Sequence, residues 1–212
     1  MQSLERSITD MLKTRELETD DKYLVNDLVI LHNKAFPLFF LTQLGVSFLR
    51  ALYLGYLNDA DSGIIVAEQN DQIVGFIAYS NDYPEFFKGL IKRKIITFAW
   101  CSLIAVLRHP SFFNRLLGAF GKSESVVKPE NYVELASICV DPDLKKQGIG
   151  TILVDYLISI TDFNKYAYIN LETDAEHNDG VNEFYQKRGF LLERQFITSE
   201  GRKMNEYRYY KR

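Results

Sequence analysis

The sequence predicts a mixed α/β domain, and three stretches carry that expectation. From Tyr132 to Leu157 the apolar period changes from two to about three and a half across a glycine-bearing loop, a strand feeding a helix. IIVAEQNDQIVGFIAY, from Ile64 to Tyr79, places two apolar runs around a polar turn at Gln69-Asn70-Asp71, a β-hairpin. A second hairpin closes the chain, Phe190–Thr198 and Lys203–Tyr210 around Ser199-Glu200-Gly201-Arg202.

With 212 residues, 47% of them hydrophobic, the chain is long enough for one well-buried domain spanning 1–212. A formal net charge of −3 gives no reason to expect nucleic acid as a partner. Cys101 and Cys139 make no disulfide framework, which suits a reducing cytoplasm. The start of the chain lacks an apolar core of signal-peptide length, and no run reaches the roughly 18 apolar residues of a spanning helix.

In order, residues 1–10 read as a polar leader and Met11–Leu17 as a short strand. Asp20 and Asp21 offer an N-cap to a helix with Leu24, Leu28, Leu31 and Ala35 on one face. Pro37 interrupts, and a second helix follows with Leu41, Leu44, Phe48, Leu49 and Leu52 on its apolar side. The hairpin comes next, then a long insertion from about 83 to 130 between the third and fourth strands. It is apolar and basic, and Pro110 splits it into two expected helices. After the central helix, Tyr166–Leu171 alternates as a strand, Asn178 opens a helix through Lys187, and Gly189 ends it.

The chemistry is concentrated at the loop between Val140 and Ile152. Gly148 and Gly150 stand at or just before the helix start, where first-turn amides lack helical partners and the helix dipole is positive. That combination binds anions, phosphate best. Leu153 occupies the position of the third glycine in a dinucleotide fingerprint, and no Gly-Lys-Ser or Gly-Lys-Thr follows. Both alternatives are therefore disfavoured.

The stretch Ile138-Cys139-Val140-Asp141-Pro142, then Lys145-Lys146-Gln147-Gly148-Ile149-Gly150, resembles the acetyl-CoA motif of the GNAT acetyltransferases. Lys145 stands where that motif has Gln or Arg; phosphate held mainly by backbone amides tolerates the change, and Lys145 adds a point charge. A second motif is similar too: Asn178, Val181, Tyr185, Gly189 and Phe190 follow the family pattern, with Val for Ala as the one change. The resemblance covers about Leu24 to the C-terminus, apart from the insertion. It implies a central twisted mixed sheet of six to seven strands flanked by helices, and acetyl transfer from acetyl-CoA to a primary amine, with no metal.

By that resemblance, the loop from Lys146 to Thr151 (Lys146, Gln147, Gly148, Ile149, Gly150, Thr151), with Lys145 beside it, holds the pyrophosphate. Ile138, Cys139 and Val140 pair with the pantetheine arm, and Asn178 contacts the arm or caps its helix. Glu134 is the expected base; alternation puts it on one face with Ile138 and Val140, and an apolar strand should raise its pKa. Glu172, Asp174 and His177 are fallbacks. Tyr185 is the expected acid, a phenol near the departing thiolate. His32 beside the apolar stripe reads as core, surface or acceptor-pocket lining, and His109 as a turn residue. The scattered histidines and cysteines form no metal site.

Acceptor sites in this family are built from the first two helices and the last hairpin, here about His32–Phe40, Asp82–Tyr83 and parts of Phe196–Tyr207. HNKAFPLFFLTQLGVSFLRALY is similar to family members found with bacterial surface-polysaccharide enzymes, which implies an amino sugar, free or nucleotide- or lipid-linked. A protein amine, a polyamine and an antibiotic amine stay open, as does a non-catalytic acyl-CoA-binding module. The insertion, flanked by Lys88, Lys92, Arg93, Lys94, Arg108 and Arg115, reads as a packed helical hairpin or homodimer interface, or as a surface making peripheral membrane contact.

Overall fold

Seven strands form one sheet in the order β1-β2-β3-β4-β5-β7-β6. They are β1 (Leu12–Glu16), β2 (Ser62–Gln69), β3 (Gln72–Ser80), β4 (Tyr132–Val140), β5 (Tyr168–Asp174), β6 (Leu191–Ile197) and β7 (Lys203–Tyr209). The structure, a computed structural model, describes residues 12–108, 128–198 and 201–211. The expected leader, His109, Pro110, Arg115, and Ser199 and Glu200 of the last turn lie outside the described residues. β4 and β5 are parallel; the other strand pairs are antiparallel, so the sheet is mixed as expected. Asn70 and Asp71, with φ of 51° and 59°, make the two-residue turn between β2 and β3. Two positive φ values give the turn whose twist matches that of its strands.

The helices are α1 (Val25–Ala35), α2 (Phe40–Gln43), α3 (Val46–Leu57), α4 (Tyr83–Arg108), α5 (Ile149–Ile160) and α6 (Asp179–Lys187). Two expectations about the first pair need correction. Residues Thr19–Leu24 form a 3-10 turn, not the start of α1. Asp21 reaches back instead, accepting the Glu18 N–H at 2.9 Å and Arg15 Nη1 at 2.6 Å. The second helix comes in two pieces because Gly45, at φ 95°, turns the chain between them.

Apolar side chains cover both faces of the sheet. On one, Leu28, Leu49, Tyr53 and Leu90 from α1, α3 and α4 pack on Ile64 and Phe76. On the other, Leu153 and Leu157 of α5 and Tyr185 of α6 pack on Ile65, Ile77, Ile169 and Tyr207. Gly75 lets α5 settle onto β3. A Cβ there would lie 2.8 Å from Ile149 Cγ2 and 3.1 Å from the Cys139 carbonyl.

Within the insertion, α4 bends at Lys94, whose φ of −118° and ψ of 18° are not helical. The bend separates a basic first half from an apolar second half. Phe98 and Cys101 are buried, Phe98 against Phe48 with ring centroids 4.6 Å apart. Ile96, Trp100, Leu103 and Leu107 recur at helical spacing on the opposite side and are exposed. No helix among the described residues is long and apolar enough to cross a membrane.

Candidate active site

β4 and β5 run side by side for three residue pairs, from Tyr132 opposite Tyr168 to Glu134 opposite Asn170. Pairing of β4 with β3 continues to Val140. Beyond Glu134 the two parallel strands therefore part, leaving the β5-facing edge of β4 without a strand partner among the described residues. Asp141 donates its N–H to the Val74 carbonyl at 2.9 Å, on the β3 side. Strand alternation then turns the backbone groups of Cys139 toward β3 and those of Ile138 and Val140 toward the open edge. Of the three residues expected to line the donor arm, Ile138 and Val140 offer free backbone, and Cys139 does not. Its thiol is buried, pushed up to about 12 by burial, and lies 3.6 Å from the Leu31 carbonyl.

At the far end of this edge the chain enters the glycine loop. Lys146 and Gly148 both have positive φ, 65° and 84°. Gly148 is the N-cap of α5, with no side chain capping the helix, and the first N–H to return is that of Ile152, onto the Gly148 carbonyl at 3.0 Å. The first-turn amides ahead of Ile152 are thus available to an anion. Lys145, Lys146, Gln147 and Gly148 are exposed, Ile149 is buried in the core, and Gly150 and Thr151 are half-buried. The loop is braced from α1: Lys34 Nζ lies 2.7 Å from both Asp141 Oδ1 and Asp143 Oδ2. The open edge and the loop together match a thioester donor with a strand-like arm and a pyrophosphate.

Glu134 sits where the strands part, but not on the expected face. Ala78 pairs with Ser137 and Tyr79 with Leu135, so Ala136 is an extra residue, a β-bulge. The bulge reverses the alternation. Val133 and Leu135 join Ile138 and Val140 under α5, and Glu134 turns to the opposite face. The expectation that Glu134 shares a face with Ile138 and Val140 is therefore corrected. Its carboxylate meets the donor edge from the side of α1, α3 and α4.

Around Glu134 the front face of β4, β5 and β7 is unusually polar for its burial. Asn170 is fully buried and donates through Nδ2 to Glu134 Oε2 at 2.8 Å. Glu206, also fully buried, is bound by Lys128 at 3.0 Å, Arg194 at 2.6 Å and Arg208 at 3.1 Å. Burial opposes ionisation of Glu206, but the Arg194 and Lys128 hydrogen bonds outweigh it and hold its carboxyl below the usual range. Glu134 forms no such ion pair among the described residues. Burial pushes its carboxyl up to about 8; Lys128 and the Asn170 bond pull it down, while Glu172 and Glu206 add to the rise. The phenols of Tyr83 and Tyr132 are held protonated by burial and then by the neighbouring Glu134 charge.

Tyr185 lies in α6 on the other side of the parting, with its ring against Phe184, Phe190 and Tyr207. Burial raises its pKa, so the phenol keeps its proton. Asn178 occupies the N-cap position of α6 without capping it; its Nδ2 bonds Thr173 Oγ1 at 2.8 Å and the Asp174 carbonyl at 3.2 Å. Among the fallback bases, Asp174 is engaged by Arg202 at 2.8 Å and His177 is exposed in a turn. His32 is buried, its Nδ1 2.6 Å from Tyr53 Oη, and burial drops its pKa to about 4.

Asn170, Lys128, Glu206 and Asn182 were not singled out from the sequence. Asn182 ties α6 to the sheet: it donates to the Asp174 carbonyl at 3.0 Å and accepts from Asn205 at 2.7 Å and Tyr207 at 3.1 Å. A lone Asn inside the apolar run of β5 was the one available hint. No group of three or more metal-ligating side chains occurs among the described residues.

Comparison with known proteins agrees with this fold. The structure is similar to aminoglycoside 6'-acetyltransferase type Ii, with a TM-score of 0.61 and 18% identity over 93% of this chain and 96% of that one. It also resembles the ribosomal-protein-S18-alanine N-acetyltransferase of Escherichia coli, with a TM-score of 0.57 and 15% identity over 94% of each chain. A third similar structure, from Bacillus anthracis str. Ames, was solved in complex with acetyl coenzyme A; its TM-score is 0.50 at 16% identity, over 76% of this chain and 70% of that one. No curated protein matches the sequence. The sequence profile of the Acetyltransferase (GNAT) family matches residues 26–190, so the chain belongs to the GNAT family of acyl-CoA-dependent N-acetyltransferases.

Proposed function

We propose that this protein, as one cytoplasmic domain over residues 1–212, moves an acetyl group from acetyl-CoA to a primary amine by direct attack in a ternary complex. The observation that carries this reading is the parting of β4 and β5 at Glu134. It leaves a strand edge that leads to a phosphate-binding loop at one end and sets a high-pKa carboxyl at the other, where the strands part. Acetyl-CoA supplies an activated acyl carbon. The chain's own residues do the rest. Amides from Lys146 to Thr151 hold the pyrophosphate, with Lys145 beside them, and Ile138 and Val140 take the arm as an added strand. An N–H on that edge polarises the thioester carbonyl.

Glu134 Oε accepts the ammonium proton. A carboxylate with a pKa near neutrality takes protons efficiently and is regenerated by solvent. Tyr185 donates its phenolic proton to the departing thiolate, and Asn178 fixes the start of α6 beside it. For the acceptor, an amino sugar or its nucleotide- or lipid-linked form is the first choice, and a protein amine the second. The polar front face supports a polar acceptor. The test is thermal unfolding with acetyl-CoA, CoA, NAD and ATP, then thiol release with glucosamine, UDP-glucosamine and a peptide amine. Stabilisation by acetyl-CoA with amine-dependent thiol release is expected. Stabilisation without release from any amine favours the non-catalytic acyl-CoA module, and no stabilisation by acetyl-CoA overturns the donor site.

The exposed row Ile96, Trp100, Leu103 and Leu107, next to exposed Lys92, Arg93 and Lys94, supports peripheral contact with an anionic bilayer. Local positive charge on a net-negative chain favours that partner over a second copy. Trp100, the chain's one tryptophan, should shift its emission to the blue with phosphatidylglycerol vesicles. Vesicle-independent emission combined with a dimer in solution would assign the face to a homodimer instead.

A further inference from the structure

We infer that Asn170 is the positioning residue of the reaction, holding the Glu134 carboxylate at the strand parting and favouring its ionised form. The inference rests on Glu134 acting as the base. Asn170 is the β5 member of the last pair before the strands separate, so its side chain reaches directly across to Glu134. The bond from Nδ2 to Oε2 is 2.8 Å long, and Asn170 is fully buried. A bulge alone would aim Glu134 at the front face and leave its χ angles free. The Asn170 bond fixes one oxygen and leaves the other to receive a proton.

The amide suits this place better than a cation or a carboxylate. Through Nδ2 it stabilises the ionised form without neutralising it. Its Oδ1 is buried with no partner among the described residues. Rotation of the amide by half a turn exchanges two atoms of nearly equal size and would let Oδ1 accept the O–H of protonated Glu134. One side chain can thus serve the base before and after it takes its proton. An unpartnered buried acceptor costs free energy, and here it has a second state that uses it. The other groups facing Glu134 are Lys128, Tyr132, Tyr56, Tyr83, Glu172 and Glu206, with Arg208 opposite Asn170 on β7. Lys128 acts by charge on both Glu134 and Glu206, so it cannot fix the Glu134 rotamer as a direct cross-strand bond does.

The experiment titrates Glu134 in the full chain by carbon NMR of carboxyl-labelled glutamate, with Glu134→Gln locating the resonance. This needs no acceptor. Asn170→Leu, which removes the donor at similar volume, should move the midpoint up by about one pH unit, the size of one hydrogen bond to a charged group. Asn170→Asp keeps the shape and should move it further, because two carboxylates at this separation cannot both ionise; it carries the test if the leucine variant does not fold. An unmoved midpoint in both variants overturns the role of Asn170. Failure of the base itself reads differently: thiol release with glucosamine would survive Glu134→Gln, whatever the titration shows.

Discussion

The proposed donor side and the proposed acceptor side of β4 are built by different means. On the donor side, the groups that matter are backbone: the edge at Ile138 and Val140, and the first-turn amides after Gly148. Side chains there serve mainly to shape the loop, as Lys34 does by bridging Asp141 and Asp143. On the acceptor side the groups are side chains brought from four places in the sequence, Lys128, Glu134, Asn170 and Glu206. A backbone site depends on a few φ values and can be written in a short motif. A side-chain site depends on cross-strand register, so a substitution at any one of its residues alters the site directly. Lys145 in place of the usual Gln or Arg belongs to the tolerant side, since it is exposed and the proposed holding groups are the amides.

The largest effect expected on this contrast comes from Glu134. Glu134→Gln should lower kcat by about 10²- to 10³-fold, in the range of a lost general base. In the unaltered protein, kcat/KM should rise with pH through about 8 as the base ionises. Stability should move the opposite way. The folded chain keeps a proton on Glu134 up to about 8, whereas the unfolded chain loses it near the ordinary glutamate value of 4.5. Between those values the unfolded state binds fewer protons, so the protein loses stability as pH rises. Glu134→Gln removes that loss and should be the more stable form at pH 8.5 by about 4–5 kcal/mol, with no gain at pH 4. Urea unfolding at both pH values checks the sign, and an equal effect at both would show that folding does not raise the pKa of Glu134.

How much could be seen in the sequence divides along the same line. The glycine loop, the strand before it and the helix after it lie next to one another in the chain, so the change of period and Gly148 announce them. The seven strands were likewise legible from local pattern. What local pattern could not show was the bulge at Ala136, because nothing in VELASICV marks where β3 skips a residue. Counting by twos from Ile138 therefore put Glu134 on the wrong face, while Cys139 was assigned to the donor arm by the family resemblance and not by alternation. Asn170 escaped for a related reason. Its meaning lies in its pairing with Glu134, 36 residues away, and in the strands parting just after it. Gly45 and the bend at Lys94 were missed for the plainer reason that apolar periodicity runs through both.

The two glycines of the loop offer a smaller, sharper test, because they separate folding from binding on the donor side. Gly148 sits at φ 84° with nothing within 4 Å of where a Cβ would go. Its requirement is conformational, so Gly148→Ala should cost about 1–2 kcal/mol of stability by strain alone. It should also weaken acetyl-CoA about tenfold or more as the loop relaxes. Gly150 is different. It lies inside α5, and an added Cβ would meet Phe184 Cζ at 3.5 Å, an ordinary contact. The fold therefore gives no reason for a glycine there, and alanine is the better helix former. Gly150→Ala should leave unfolding within about 0.5 kcal/mol of the unaltered protein and still weaken acetyl-CoA by several-fold. Calorimetric titration beside thermal unfolding separates the two. If Gly150→Ala binds acetyl-CoA as well as the unaltered chain does, no ligand approaches that turn closely, and the pyrophosphate must lie nearer Lys146 and Gly148.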